Sequence, residues 1–576
     1  MSEGLRGAAQ GAGIIRSGLS AAWLGPRDIY SFFAHGTRYH FLRYLVILVA
    51  VVQLYHAIKA LMTQGVIMGV LSLVVMAISI GMGTLFANIV ESLGWWFAWY
   101  PGLGYRLKDG TFRPILGGSV PGSGPASLSG LGGAAKADET LIRGAAVVDG
   151  AALAVQLKRG VDPADLARLV EFGGVPVPFG AEPQHFLIEG ATGSGKSQAI
   201  NGMLRVVRKR QQAAIIADPG AGYLARFGEL GETILNPLDG RSAGWSAFVE
   251  IREEYDCQMI AKAAIPDAAG EAGEWNFYAQ TMLGAALKSQ WKAGDFSTHK
   301  LLYLMNSAPI KELEPILAGT AAYPMIQKGG EKALASIRMI ASVYLAAWEY
   351  LPDHGTFSVR DWVRDSDSNP AWLYLTYRDD QMALLRNLIA CWLELAIVEG
   401  LTLSENANRR LWYIMDELDS LGKVSSLRAG LTKLRKYGGV CVSGLQTIAQ
   451  LRTTYGKDEA QTLLSSMSNK LVLRAGDNET GKYFENELGE QEVKRAEVSN
   501  STSTRIGELP NNSENVSERR SQQMAVLASE VQGLPDLHGF LKLIGLPIAR
   551  VVLQYVAMPE QMPPYVAKKK AGEVVT

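Results

Sequence analysis

The 576-residue sequence has only three cysteines, Cys257, Cys391 and Cys441, widely separated and without a CxxC pair or a Cys/His ligand spacing. That argues against a disulfide scaffold and a structural zinc site, and it fits a reducing, cytosolic setting for most of the chain. Excess charge of one sign is also lacking, because 56 Lys plus Arg balance 56 Asp plus Glu. No global basic field is therefore available to hold a duplex by counterion release, and any nucleic-acid contact must be local. HExxH is absent, which argues against a membrane metalloprotease. No internal repeat of 20 to 50 residues points to a solenoid or propeller. A cleavable signal is missing too, since Arg16 interrupts the early apolar stretch. With 48% hydrophobic and 19% charged residues, bulk disorder is excluded, and the length admits about three or four domains.

What is present begins with apolar text. Residues 65–90 hold 26 positions without a charge, more than the ~20 that a helix needs to cross about 30 Å of hydrocarbon. The preceding run, about 42–62, carries His56 and Lys59 near its end, and reads as a second span with a snorkelling lysine or as an interfacial or buried helix. Arg6, Arg16, Arg27, Arg38 and Arg43 precede the spans, and Arg106, Lys108 and Arg113 follow them. The positive-inside rule then puts both termini in the cytoplasm. Trp95, Trp96, Trp99 and Tyr100 suit a headgroup belt or packing against the soluble part.

Residues 114–135 contain seven glycines and three prolines, and read as a flexible tether. The polar stretch 499–523 reads as a mobile loop within the soluble part. Lys568, Lys569 and Lys570 read as a solvated tail. Arg205, Arg208, Lys209 and Arg210 have no interleaved aromatics, and read as a solvated face in preference to a nucleic-acid groove.

The chemistry starts at Gly190-Ala191-Thr192-Gly193-Ser194-Gly195-Lys196-Ser197, a GxxxxGK[ST] loop between an apolar strand candidate at 185–188 and a helical pattern over 198–209. Glycines let backbone N–H groups close around phosphate oxygens at a helix N-terminus. Lys196 can pair with the β and γ phosphates of ATP, and the Ser197 hydroxyl can ligate Mg. The complement is the apolar strand 411–415 followed by Asp416 and Glu417. Asp416 suits the magnesium shell, and Glu417 suits orienting or deprotonating the attacking water. Consecutive acids favour hydrolysis over a switch GTPase.

Three further residues are candidates with open alternatives. Gln446 follows a strand at 440–443, and is either a γ-phosphate sensor or an ordinary loop amide. Arg435, on a helical pattern at 431–437, is either an arginine finger acting in trans in a ring or a surface arginine. Asp218 ends the strand candidate 213–217, where α/β sheets put ligand-facing residues, but Asp-Pro-Gly is also a good turn.

These residues resemble the TraD/TrwB family of type IV secretion coupling proteins, relatives of the FtsK and HerA DNA pumps. The likeness extends over roughly 170–555. It includes Gly173-Gly174-Val175-Pro176-Val177-Pro178, the block from Asp218 through Ile234-Leu235-Asn236-Pro237-Leu238-Asp239, Phe357-Ser358-Val359-Arg360-Asp361-Trp362 and Gly444-Leu445-Gln446-Thr447. The resemblance implies an α/β fold, a RecA-like P-loop ATPase domain with an inserted all-α domain, behind an N-terminal two-helix transmembrane anchor. It divides the chain into an anchor at 1–100, a linker at 101–140, nucleotide-binding parts at 141–250 and 351–560, the helical insert at 251–350 and a tail at 561–576. Within the insert, Trp275, Phe277, Leu283 and Leu287 have core spacing.

Such a protein would be a homo-hexameric DNA-dependent ATPase in the lipid of the bacterial inner membrane. It would couple single-stranded DNA bound to relaxase to the type IV secretion channel. Lys196, Ser197, Asp416, Glu417 and Gln446 inherit the nucleotide roles, and Arg435 becomes the finger candidate. Gln184 stands where some members have an arginine, and Gly220-Ala221-Gly222 departs from the family's second block. The competing readings are a membrane ATPase exporting protein cargo or moving chromosomal DNA, and a nonhydrolysing substrate-docking platform. An ABC transporter is disfavoured, because Ser127-Leu128-Ser129-Gly130-Leu131-Gly132-Gly133 precedes the phosphate loop.

Overall fold

Runs without polar alternation, such as Trp372–Tyr377 and Leu411–Met415, are what a strand covered on both faces requires. In the computed structural model, which describes residues 104–106, 112–114, 139–268, 270–418, 420–503 and 511–568, such runs build a ten-stranded sheet. The spans read at 42–62 and 65–90, the aromatic cluster at 95–100 and the tether at 115–135 lie outside the described residues. The short ribbon of Gly104–Arg106 with Phe112–Pro114 belongs to a separate unit.

In chain order the ten strands are β1 (Val147–Asp149), β2 (Phe186–Glu189), β3 (Ala214–Pro219), β4 (Thr233–Leu235), β5 (Trp372–Tyr377), β6 (Leu411–Met415), β7 (Gly439–Leu445), β8 (Asn469–Val472), β9 (His538–Lys542) and β10 (Ile548–Val552). Their spatial order is β1-β10-β9-β8-β2-β7-β6-β3-β5-β4. Every neighbouring pair from β8 to β4 is parallel. Only β9 runs against its neighbours. The carboxyl ends of β2, β7, β6 and β3 thus lie side by side, where open α/β sheets hold ligands.

Side chains alternate between two cores. Trp412 and Ile414 pack with Ile200, Met203 and Leu204 of helix α1 (Lys196–Lys209). Tyr413 and Met415 pack on the other face with Leu388, Trp392 and Leu393 of the 22-residue helix Asp379–Gly400. That helix is the one among the described residues long and apolar enough to cross a membrane, and it is largely buried in the second core.

Between β4 and β5 the chain forms the helices Asp256–Ala264, Glu271–Lys292, Thr298–Asn306, Ile310–Leu317 and Glu331–Leu345. Leu283 and Leu287 are fully buried there, whereas Phe277 is 47% exposed. At 100° per residue Phe277 lies on the side opposite Trp275, so the core spacing expected of it does not hold.

The insert is clasped to the sheet by buried aromatics and charges. Trp245 meets Trp348 and Trp392 edge-on, with centroids 5.5 and 5.7 Å away. Arg360 donates to Glu399 Oε2 at 2.8 Å and to the Glu250 carbonyl at 2.7 Å, and pairs with Asp256 Oδ1 at 2.9 Å. Removing one partner of such a group leaves the others charged and unpaired, so Arg360→Ala is expected to cost about 3–5 kcal/mol of stability. Denaturant unfolding checks this, and a loss of less than about 1 kcal/mol would show the clasp to be dispensable.

Two polar stretches depart from their sequence readings. The expected mobile loop at 499–523 lies largely within an antiparallel ribbon of Glu490–Ser503 with Asn511–Met524, whose base is flanked by Glu139–Gly144. Few apolar residues alternate along it in sequence, so the period-2 hydrophobic signal of a strand is missing, and its regularity comes from backbone pairing. The basic run is not a solvated face throughout. Arg205 and Lys209 are exposed, but Arg208 stacks 3.7 Å from the Trp372 ring and pairs with Glu232, while Arg210 is buried against Glu182, which it shares with Arg410.

Residues 553–568 run on from β10 as an extended strap. Leu553 N–H donates to Leu537 O (2.7 Å), Val556 N–H to Gln198 Oε1 (3.2 Å) and Gln561 N–H to Ala225 O (2.6 Å). Further on, Gly240 N–H donates to Val566 O (2.7 Å). Lys568, at the end of this strap, is exposed as expected of it, and Lys569 and Lys570 lie outside the described residues.

Candidate functional site

β2 ends at Glu189, and the chain turns through Gly190–Gly195 into α1, whose first residue is Lys196. The loop is tied to both neighbouring strands. Gly190 N–H donates to Leu445 O at the end of β7 (3.1 Å), and Ala191 N–H to Arg474 O beyond β8 (2.7 Å). Gly195 has φ +119°, and a Cβ there would stand 2.9 Å from Leu537 Cδ2. The backbone conformation therefore favours glycine, and a Cβ would also push the Leu537 side chain aside. Lys196 is buried and folds back over the loop, its Nζ donating to Gly190 O at 2.5 Å.

Asp416 follows β6 and is 5% exposed. Its Oδ2 accepts from the Tyr223 hydroxyl at 2.6 Å, while Oδ1 is buried with no hydrogen bond of normal geometry. Burial raises this carboxyl's pKa above the ordinary range, opposed by the Tyr223 bond, the Lys196 charge and the adjacent Ser197 hydroxyl. An orphaned carboxylate oxygen beside a serine hydroxyl and a phosphate loop suits Mg, which takes one or two protein oxygens and completes its shell with phosphate and water. Among the described residues no three His, Cys, Asp or Glu side chains form a metal cage.

Glu417 has φ +64°, a left-handed conformation that costs a non-glycine residue roughly 1–3 kcal/mol. The strained turn aims its carboxylate across to β7, where Gln446 Nε2 donates to Glu417 Oε1 at 3.0 Å. The Leu418 N–H bond to Gly444 O (3.0 Å) fixes the turn.

The fold thus gathers Lys196, Ser197, Asp416, Glu417 and Gln446 at adjacent strand ends. It does not bring Arg435 there. Arg435 is exposed in the 3₁₀ turn Leu434–Tyr437 before β7, at the amino end of the sheet, where its charge acts on buried His185.

His185 accepts from Cys441 N–H through Nδ1 (3.0 Å), so the ring is neutral, and burial lowers its pKa to about 4. A histidine whose folded pKa lies below its unfolded 6.5 contributes stability that is complete above pH 6.5. That stability is lost as pH falls toward 4, on the order of 3 kcal/mol in total. His185→Asn keeps an acceptor and tolerates the φ of +61°. It is expected to flatten the fall in stability between pH 6.5 and 4, measured by urea unfolding across that window.

Asp218 is a helix cap. Its Oδ1 and Oδ2 accept the N–H groups of Tyr223 (3.0 Å) and Leu224 (2.7 Å), which start helix α2 (Gly222–Phe227), and burial pushes its pKa up to about 7. Sequence reasoning missed Tyr223 and Gly444 as neighbours of Asp416. The Asp-Pro-Gly turn signals a reversal there, but nothing in the sequence shows which side chain then reaches β6.

Residues 169–554 match the model of the type IV secretion-system coupling protein DNA-binding domain. The coupling protein TraD of Escherichia coli (strain K12) is 29% identical over 425 residues, which cover 71% of this chain and 59% of TraD. This chain therefore aligns with less than two thirds of that relative's length. Among solved structures, the unbound monoclinic form of the bacterial conjugative coupling protein TrwBdeltaN70 superposes with a TM-score of 0.69 at 34% identity, covering 76% of this chain and 98% of that one. TrwB in complex with ADP and Mg2+ gives a TM-score of 0.66 at 34% identity, covering 74% and 96%. The mixed sheet and these matches make the fold a P-loop ATPase-like α/β fold.

Proposed function

Since this chain belongs to the TraD/TrwB family of type IV secretion coupling proteins, we propose that it hydrolyses ATP at the loop Gly190–Ser197 to drive relaxase-bound single-stranded DNA into a conjugative secretion channel. The observation that carries the reading is the buried, half-satisfied Asp416 carboxylate beside Ser197, with Glu417 bonded to Gln446 just past the neighbouring strand β7.

In this reading the loop N–H groups and Lys196 bind and orient the phosphates, and Lys196 exchanges its contact with Gly190 O for them. Ser197 and Asp416 would hold Mg, which neutralises charge on the phosphates when bound. Glu417 aligns the attacking water and takes its proton, and Gln446 reports on the γ phosphate through its bond to Glu417. Arg435 belongs to a different surface, and serves only if a neighbouring subunit of a hexamer carries it to that subunit's phosphates.

Residues 1–100 would anchor the chain in the inner membrane with both termini cytoplasmic. The nucleotide-binding parts at 141–250 and 351–560 would flank the helical insert at 251–350, where DNA and relaxase would be met, and 561–576 would form the tail.

The test is ATP turnover by the full chain in detergent or nanodiscs, with and without single-stranded DNA. Stimulation by DNA is the expected result. DNA-independent turnover would favour protein cargo, and nucleotide binding without any turnover would favour a docking platform.

A further inference from the structure

Asp416 has two oxygens, and the structure treats them differently. Oδ2 receives the Tyr223 hydroxyl at 2.6 Å, a short charge-assisted bond, and Tyr223 itself is 3% exposed. Oδ1 is left without such a bond. The space beside it is kept by Gly444 on β7, where a Cβ would lie 2.6 Å from Oδ1 and 3.2 Å from Glu417 N.

The Tyr223 hydroxyl is itself held in place from behind. The turn at Gly220 and Ala221, both at positive φ, folds the chain back, and the Asp218 carboxylate fixes the backbone N–H of Tyr223. The phenol therefore arrives at Asp416 from a capped, rigid element and not from a free rotamer.

We propose that Tyr223 is a positioning residue for the metal-side carboxylate: it occupies Oδ2 and so presents Oδ1, across from Gly444, as the oxygen that faces the magnesium shell. The proposal rests on the reading of Asp416 as a magnesium residue, and it adds which oxygen serves and what aims it. An outer partner of this kind commonly sets metal affinity by 10- to 100-fold, because the carboxylate must otherwise be ordered when the ion binds.

The experiment uses the full chain and reads binding, not turnover. Affinity for a fluorescent ADP is measured in EDTA and across a Mg2+ titration, and Mn2+ bound with ADP is counted by paramagnetic resonance. Tyr223→Phe keeps the buried ring and removes the hydroxyl. It is expected to weaken metal affinity in the presence of ADP at least ~10-fold, while ADP affinity in EDTA stays within about twofold. Gly444→Ala, which leaves Tyr223 intact and crowds Oδ1 from the other side, is expected to give the same split.

Metal affinity within about twofold of wild type in Tyr223→Phe overturns the proposal. So does an equal loss of ADP affinity in EDTA, which would make Tyr223 a packing residue of the loop. Asp416→Asn separates this from failure of the parent reading: if that variant keeps the metal, Asp416 is not a magnesium residue, whatever Tyr223 does.

Discussion

Lys196→Ala is expected to lower ATP turnover roughly 100- to 1,000-fold, the usual effect of removing one preorganised donor from developing charge. The loop itself should survive the change. Its entry is tied by Gly190 and Ala191 to the ends of β7 and β8, and Gly195 is seated against Leu537, none of which involves the lysine side chain. The variant should therefore fold and melt like wild type, while losing affinity for ATP more than for adenosine. Steady-state turnover together with nucleotide titration checks this. Full activity in Lys196→Ala would mean that the chemistry happens elsewhere.

Glu417→Gln is expected to produce a different failure. Glu417 touches Gln446, just past the end of β7, and lies outside the loop that grips phosphate. Its loss should leave ATP affinity within a few-fold and reduce hydrolysis by about 100- to 10,000-fold, the contribution of a positioned general base. Glutamine keeps the side-chain length, so the left-handed turn at this position should persist. Rapid filtration should recover unhydrolysed ATP on the variant where wild type holds ADP. If Glu417→Gln turns over at the wild-type rate, Glu417 is not the base, and the Gln446 contact has only a structural meaning.

Much of this site could be read before the fold was seen, because its physics is local. A glycine-rich turn between an apolar strand and a helix start makes a phosphate cradle wherever it occurs, and the observed β2, loop and α1 follow that text closely. Two acids after a continuous apolar strand are equally local. What could not be read depends on which strand lies beside which. Gln446 meets Glu417 only because β7 pairs with β6, and Tyr223 reaches Asp416 only because β3 lies on β6's other side.

Two further departures come from contacts distant in sequence or from backbone pairing. Arg210 looks like a surface cation until Glu182, far away in sequence, is seen to bury it. The ribbon of 490–503 with 511–524 lacks the hydrophobic alternation by which strands are recognised, and its order comes from pairing between its two strands. Phe277 departs for a simpler reason, because two residues along a helix turn the side chain just over half a turn.

The strap at 553–568 and Leu537 also have a meaning for synthesis. A ribosome emits the phosphate loop long before the residues that complete its surroundings. Val556, which caps the Gln198 side chain on the first turn of α1, emerges 358 positions after it. Leu537, against which Gly195 is seated, is scarcely earlier. Until then the loop lacks its seat and β10 has not closed the sheet onto β1. A chain stalled or cut short before this point carries the nucleotide motifs in its sequence but not a finished place to hold a nucleotide. Competence for ATP thus becomes a report that translation has passed Leu537 and the strap that follows it.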